Sequence, residues 1–314
     1  MVGSIQFEQV ACRLCGEDDG VGSDVIMWRG EELRYVICRV CGLKYMTPRP
    51  TGEWYRAFYE AEFWQEKVVN AEYHVSGKMP KQAVAEDEGL RRRLEKQRWR
   101  AERVVGILSQ VADLGPDSKV LDIGTAFGVT LDAIRERWGC QIFGVEPSSL
   151  GRDYASTELG IELAGRYMED MANPQEFDGQ LDLVIMSHVL ENTVDPLEGI
   201  ESARRLLSGG GQLYLDTPNF YYYNAVNPYH PYVFGPETLE ALLAKGGLRV
   251  VEWRMEPLPT EGCEPEDPFL TVVATPDPAV RFERTSLDVE QLVAAQALGV
   301  ARFKATRKAK KKGR

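Results

Sequence analysis

The sequence predicts an α/β protein: a doubly wound sheet with a small cysteine-bearing ribbon in front of it. Three observations lead there. Val120-Leu-Asp-Ile-Gly-Thr-Ala-Phe-Gly-Val-Thr-Leu131 reads as a buried strand, a glycine turn and a helix start. A second apolar run, Gln141 to Val145, ends in Glu146, 24 residues after Asp122, and further strand-like runs alternate with helical ones as far as residue 274. Near the N-terminus, Cys12-Arg-Leu-Cys15-Gly16 and Cys38-Arg-Val-Cys41-Gly42 form two knuckles separated by 22 residues.

Residues 1–50 come first. Each C-x-x-C pair can place two thiolates on one metal, and the glycine after it permits a tight turn. Four thiolates in a tetrahedral set suit a structural Zn(2+) on Cys12, Cys15, Cys38 and Cys41. Val25 to Trp28 and Leu33 to Ile37 read as strands around Arg29-Gly30-Glu31-Glu32, completing a zinc ribbon. Two disulfides or a redox pair are the alternatives. Disulfides fit poorly with the expected cytoplasmic location, and a redox C-x-x-C does not come in duplicate. With four protein ligands no coordination position is left for a substrate, so the metal is expected to be structural.

Thr47-Pro-Arg-Pro50 stops the ribbon, and residues 51–114 form a linking segment. Trp54, Tyr55, Phe58, Tyr59, Phe63 and Trp64 recur at helical spacing, as a helix packed on the core or as a cover for a pocket lined by Tyr59 or Phe63. Residues 65–85 read as an exposed connection. A long helix follows from about Glu86 to Leu114, with charges opposite an apolar stripe that includes Leu90, Leu94 and Leu108.

Residues 115–280 carry the main domain. Strand, glycine turn, helix, strand and acid make the layout of a nucleotide-binding βαβ unit. The turn is Gly124-x-x-x-Gly128, without the third glycine that a pyrophosphate needs and without a P-loop Lys. A ligand with ribose and adenine but no phosphates fits better, with Glu146 placed to accept from ribose hydroxyls. On these residues the segment resembles the class I S-adenosylmethionine-dependent methyltransferases, whose first motif is a strand followed by D-x-G-x-x-x-G. The resemblance implies a seven-stranded Rossmann-like methyltransferase sheet and S-adenosylmethionine held by Asp122, Gly124, Thr125, Gly128 and Glu146.

Ile161 to Leu163 reads as the third strand, and the resemblance puts adenine near the backbone of Met168 and Glu169. Tyr167 stands where an acid often lies in that family. The fourth strand, within Asp178 to Met186, leads into Ser187-His188-Val189-Leu190-Glu191-Asn192, similar to the family's H-V-L-E-H. Ser187 and His188 at a carboxyl strand end are expected to face the cofactor or its methyl group. A helix from Pro196 to Leu207, stopped by Ser208-Gly-Gly-Gly211, precedes the fifth strand, Gln212 to Asp216. The loop Phe220 to Phe234 carries five Tyr, two Asn and His230, and reads as a structureless acceptor-binding loop with Tyr222, Asn224 and Tyr229 as contacts. A helix to Gly246 and two strands, Val250 to Met255 and Phe269 to Ala274, close the domain, joined by an acidic, Pro-rich connection. Residues 281–314 read as a short helix and a basic disordered tail.

The order of parts is similar to bacterial methyltransferases of sugars in glycans or secondary metabolites. The resemblance implies methyl transfer to a hydroxyl or carbon of a small-molecule acceptor such as a glycan sugar or a sugar nucleotide. A hydroxyl acceptor needs a base. His230, in the acceptor loop, is the first candidate and His188 the second. An RNA methyltransferase and a non-catalytic cofactor-binding scaffold are the alternatives. The net charge of −11 includes seven Lys or Arg in the last eleven residues, which leaves −18 on the rest and disfavours nucleic acid. No apolar run approaches a membrane span, and no signal peptide is expected.

Overall fold

The structure is a computed structural model that describes residues 2–64, 86–168, 171, 177–221, 226–254, 269–283, 288–298 and 301. The connection 65–85, Glu169, Tyr222, Asn224, the acidic connection and the basic tail lie outside the described residues. The chain falls into two compact units. One comprises Met1–Gln6, Pro50–Ser187 and Ser202–Tyr214; the other comprises Phe7–Arg49, His188–Glu201 and Leu215–Arg314.

The expected seven-stranded sheet is present. In chain order its strands are β6 (Lys119–Ile123), β7 (Gln141–Val145), β8 (Glu162–Gly165), β9 (Leu181–Ser187), β10 (Leu207–Pro218), β12 (Leu248–Arg254) and β13 (Phe269–Pro276). They lie side by side as β12-β13-β10-β9-β6-β7-β8. β6 pairs in parallel with both β7 and β9, and β12 closes antiparallel on β13. The central strands read as continuous apolar runs because both their faces are covered: Val120, Leu121, Leu183, Val184, Ile185 and Met186 are all fully buried. The chain order reverses at β6, where open α/β sheets place their ligands beyond the carboxyl ends.

Helices α1 (Gly52–Ala61), α2 (Glu86–Val111), α3 (Val129–Trp138) and α4 (Ser149–Leu159) belong to the first unit. Thr51 caps α1 by accepting from the Trp54 amide at 3.3 Å. The α3 helix stops at Gly139, in the left-handed region at φ 73°. It starts at Gly128, φ 78°, where an added Cβ would lie 2.3 Å from Ile161 Cδ1 and 3.1 Å from Ala155 Cβ. Among the described residues no helix is long and apolar enough to cross a membrane.

The second unit carries a four-stranded sheet in the order β11-β4-β3-β2. Its strands are β2 (Gly20–Trp28), β3 (Glu31–Cys38), β4 (Lys44–Met46) and β11 (Tyr232–Val233). The β2–β3 hairpin is tighter than the sequence suggests. Trp28 pairs with Glu31, leaving only Arg29 and Gly30 in the turn, both at positive φ, a geometry that matches strand twist.

Two further expectations are corrected. Ser208–Gly211 is no stop between helix and strand: β10 begins at Leu207, directly after α5 (Pro196–Leu206), and both Leu206 and Leu207 are buried. The described part of the 220–234 loop is not structureless. β11 pairs antiparallel with β4, Tyr232 with Tyr45 and Val233 with Lys44, and Tyr229, Tyr232 and Phe234 are buried. An edge strand with open amides offers such a place, and apolar rings favour its sheltered face.

Gly128→Ala is expected to cost about 2–5 kcal/mol, combining the left-handed backbone penalty with overpacking against Ile161. Urea unfolding of the full chain measures it; an unchanged midpoint contradicts the close packing described here.

Candidate active site

The first unit builds a buried acidic cradle at the carboxyl end of β6. The turn after Ile123 is tied to β7: the amides of Gly124 and Thr125 donate to the Val145 carbonyl at 2.7 and 3.1 Å. Ala126 takes φ 55°, uncommon for a residue with a side chain. Its amide donates to Glu146 Oε2 at 2.8 Å, and the Ser148 amide donates to Glu146 Oε1 at 2.9 Å. Glu146 therefore clamps the turn to the start of α4. Gly151 is essential to this approach, since a Cβ there would lie 2.7 Å from the Ala126 carbonyl oxygen.

Asp122 and Glu146 are almost fully buried. Burial pushes each carboxyl up to about 7. For Asp122 the Thr125 hydroxyl opposes the shift, while the Glu146 charge adds to it. For Glu146 the amides of Ser148 and Ala126 oppose it. The Thr125 hydroxyl is buried and makes no full hydrogen bond among the described residues. A carboxylate has roughly four acceptor positions, and Glu146 uses three. Buried acceptors with spare capacity suit a ligand that brings its own hydroxyl donors, so these residues fit a ribose-bearing cofactor.

The third donor to Glu146 is one the sequence reading missed. Trp64 Nε1 donates to Glu146 Oε1 at 3.4 Å. The indole packs 5.0 Å from the Phe127 ring and lies under the Arg93 guanidinium at 5.4 Å. The aromatic run thus ends against the glycine turn, and α2 contributes Leu90 and Leu94 to the same cluster. Its spacing was legible as a helix, but only the fold selects Trp64. Tyr59 is half-buried and stacks between Tyr55 and Phe63. Met168 is half-buried too, beside Tyr167, whose hydroxyl donates to the Arg56 carbonyl at 3.2 Å. Ser187 ends β9, on the carboxyl edge shared with β6 and β7.

The second unit holds both histidines of interest. His188 takes φ 58°, and its amide donates to the Asp216 carbonyl at 2.8 Å. That backbone turn puts its Nδ1 3.2 Å from Glu191 Oε1, while Glu191 Oε2 accepts from the Thr217 hydroxyl at 3.2 Å. Glu191 is only 1% exposed, so the carboxylate is held from both sides. The imidazole edge rests on Phe269 with ring centroids 4.7 Å apart. Positive φ at a non-glycine residue stores strain and clusters at functional positions. Glu191 and Thr217 were not singled out from sequence, though the three-residue step from His188 to Glu191 is a possible signal for one turn of helix. Leu190–Asn192 is indeed a 3-10 turn.

His230 is 9% exposed, and its carbonyl accepts from the Tyr35 hydroxyl at 2.8 Å. Tyr229 lies edge-on to Trp28 at 5.6 Å. Asn219, buried at the end of β10, has an amide nitrogen with no partner among the described residues.

Also in this unit, Cys12, Cys15, Cys38 and Cys41 converge, all four sulfurs within 4.8 Å of one another. Cys12–Cys41 and Cys15–Cys38 are 3.4 and 3.5 Å apart, and the thiols are free rather than bonded as disulfides. Zn–S bonds of about 2.3 Å in a tetrahedron put sulfurs about 3.8 Å apart, so the set fits a zinc site. The knuckle turns close through Gly16 N to Cys12 O at 2.7 Å and Gly42 N to Cys38 O at 2.9 Å.

The family described as "Methyltransferase domain" matches residues 96–253. A ubiquinone biosynthesis O-methyltransferase of Pseudomonas aeruginosa is 32% identical over 134 residues, 41% of this chain and 54% of that protein. The chain spans about half the length of the curated relatives it matches. Among solved structures, an S-adenosylmethionine-dependent methyltransferase of Mesorhizobium loti aligns with TM-score 0.46 at 17% identity, covering 56% of this chain and 97% of that one. One from Aquifex aeolicus aligns with TM-score 0.44 at 18% identity, covering 54% and 87%. With half of its length matched, the chain belongs to the methyltransferase-domain family, in its class I, S-adenosylmethionine-dependent form.

Proposed function

We propose that the protein transfers the methyl group of S-adenosylmethionine to a hydroxyl oxygen of a small-molecule acceptor, with a sugar, free or nucleotide-linked, as the acceptor class. The buried Glu146 carboxylate, with three donors for its roughly four acceptor positions, carries the cofactor part of this reading. Asp122, Gly124, Thr125, Gly128, Met168, Glu169 and Ser187 complete the cofactor set. The relatives' printed name favours oxygen over carbon. The sugar rests on the order of parts along the sequence, and Tyr59, Tyr222, Asn224 and Tyr229 are its proposed contacts.

When bound, the cofactor supplies a methyl carbon already activated by a cationic sulfur, which leaves as a neutral thioether. The protein's task is then to position the acceptor and take its proton. His188 suits the second role better than His230. With Nδ1–H donated to Glu191, Nε2 is the ring nitrogen proposed to take the hydroxyl proton, and the Glu191 carboxylate stabilises the imidazolium formed when it arrives. Thr217 keeps Glu191 in place. His230 is proposed to hold the acceptor. The four cysteines are proposed to bind one structural zinc, with every coordination position filled by protein.

Two expected outcomes test this. Ribose hydroxyls donate to a carboxylate, so binding favours the deprotonated Glu146, whose carboxyl stands at about 7. Affinity for S-adenosylmethionine should rise from pH 6 to pH 8, by up to about tenfold per unit below that value, with proton release seen calorimetrically in buffers of different ionisation enthalpy. The free chain should behave oppositely. Its acids are raised above 3.8 and 4.5, so their contribution to stability is lost as pH rises from about 4 to about 7. PH-independent affinity contradicts the assignment. For the base, labelled methyl transfer from S-adenosylmethionine to a panel of nucleotide sugars should fall about 10²–10⁴-fold in His188→Ala, with cofactor affinity unchanged. Full turnover in that variant removes His188 from the mechanism.

A further inference from the structure

We infer that the cysteine ribbon is the scaffold of the acceptor segment, with Tyr35 as its positioning residue, so that metal occupancy sets the order of residues 226–234. The inference rests on the proposed roles of the four cysteines and of His230, and extends them to a coupling between the two.

The geometry is particular to this segment. Its chain reverses at Asn227 to His230: the His230 amide donates to the Asn227 carbonyl at 2.9 Å, and the Tyr229 amide to the Asn227 side chain at 3.0 Å. Tyr229 and His230 are buried and Asn227 is half-buried, so the carbonyls of the turn need partners. Tyr35, on β3 between the two cysteine knuckles and 1% exposed, supplies one. Its hydroxyl lies 2.7 Å from the Asn227 carbonyl and 2.8 Å from that of His230, sharing a single proton between them.

The segment's next residues continue into the ribbon's own sheet. The Met46 amide donates to the Pro231 carbonyl at 2.8 Å, and β11 pairs with β4. Arg49 Nη1 donates to the Tyr232 hydroxyl at 2.7 Å. At the other end of the segment, the buried Lys44 is paired with Asp24 and sets its ammonium 5.8 Å from the centre of the Phe220 ring and 5.9 Å from that of Tyr35. Metal binding by thiolates couples to local folding, and Cys38 ends the strand that carries Tyr35, so an unfilled four-thiolate set is expected to loosen β3 and its neighbour β4. Loss of metal therefore takes away the sheet partner of β11 and the hydroxyl that satisfies the turn.

Hydrogen exchange of the full chain by mass spectrometry tests this, read beside zinc content and calorimetry with S-adenosylmethionine. Stripping the metal with 1,10-phenanthroline should accelerate exchange in 226–234 by tenfold or more while leaving 119–146 as before. Tyr35→Phe keeps the ring and should keep one zinc per chain and the wild-type cofactor affinity. Its exchange at Tyr229 and His230 should still rise about tenfold. Unchanged exchange in 226–234 after stripping, or in Tyr35→Phe, overturns the inference, as does equal acceleration of 119–146. A chain that shows the local response but binds no S-adenosylmethionine defeats the proposed function and leaves the coupling standing.

Discussion

The Glu146 carboxylate, buried and shared among two backbone amides and an indole, is the interaction on which the first unit depends. It fixes a strained turn at Ala126, anchors the start of α4 and meets the end of the aromatic segment at Trp64. Leaving such a charge under-solvated is expensive in the free protein, which is why its carboxyl stands near 7. The strain is consistent with a site whose polar demand is completed by a ligand. A structure selected for stability alone would replace it with apolar contacts.

The second unit shows the same economy in a different form. His188 adopts a left-handed backbone so that its ring meets Glu191, and Glu191 is held in turn by Thr217. Nearby, Asp216 accepts from Thr271, both buried. The ribbon's contribution is a set of contacts: Tyr35 with the Asn227–His230 turn, Arg49 with Tyr232 and Lys44 with Phe220. A closed four-thiolate site suits that task, because it supplies cross-linking without reactivity.

Much of the fold was legible because burial on both faces leaves an unmistakable trace. β6, β7 and β9 are short apolar runs bounded by glycine or acid, and the cysteine knuckles announce themselves by spacing. The limits were also physical. Trp64 and Glu146 are 82 residues apart, and Tyr35 lies 192 and 195 residues from the carbonyls it satisfies, so no local pattern could join them. The strand Tyr232–Val233 was not legible because a polar-aromatic composition is the same for an irregular loop and for a strand added to an existing sheet. The His188–Glu191 pair was visible as spacing, but its geometry depends on a positive φ that no residue type at that position signals.

The central claim is that Glu146 is the cofactor's anchor, and calorimetric titration of the wild-type chain and of Glu146→Ala with S-adenosylmethionine tests it most directly. The account predicts saturable binding by the wild type and at least about tenfold weaker binding by the variant, in line with the loss of charge-assisted hydrogen bonds. Equal affinity in the two proteins, or no binding by the wild type at millimolar ligand, would contradict it.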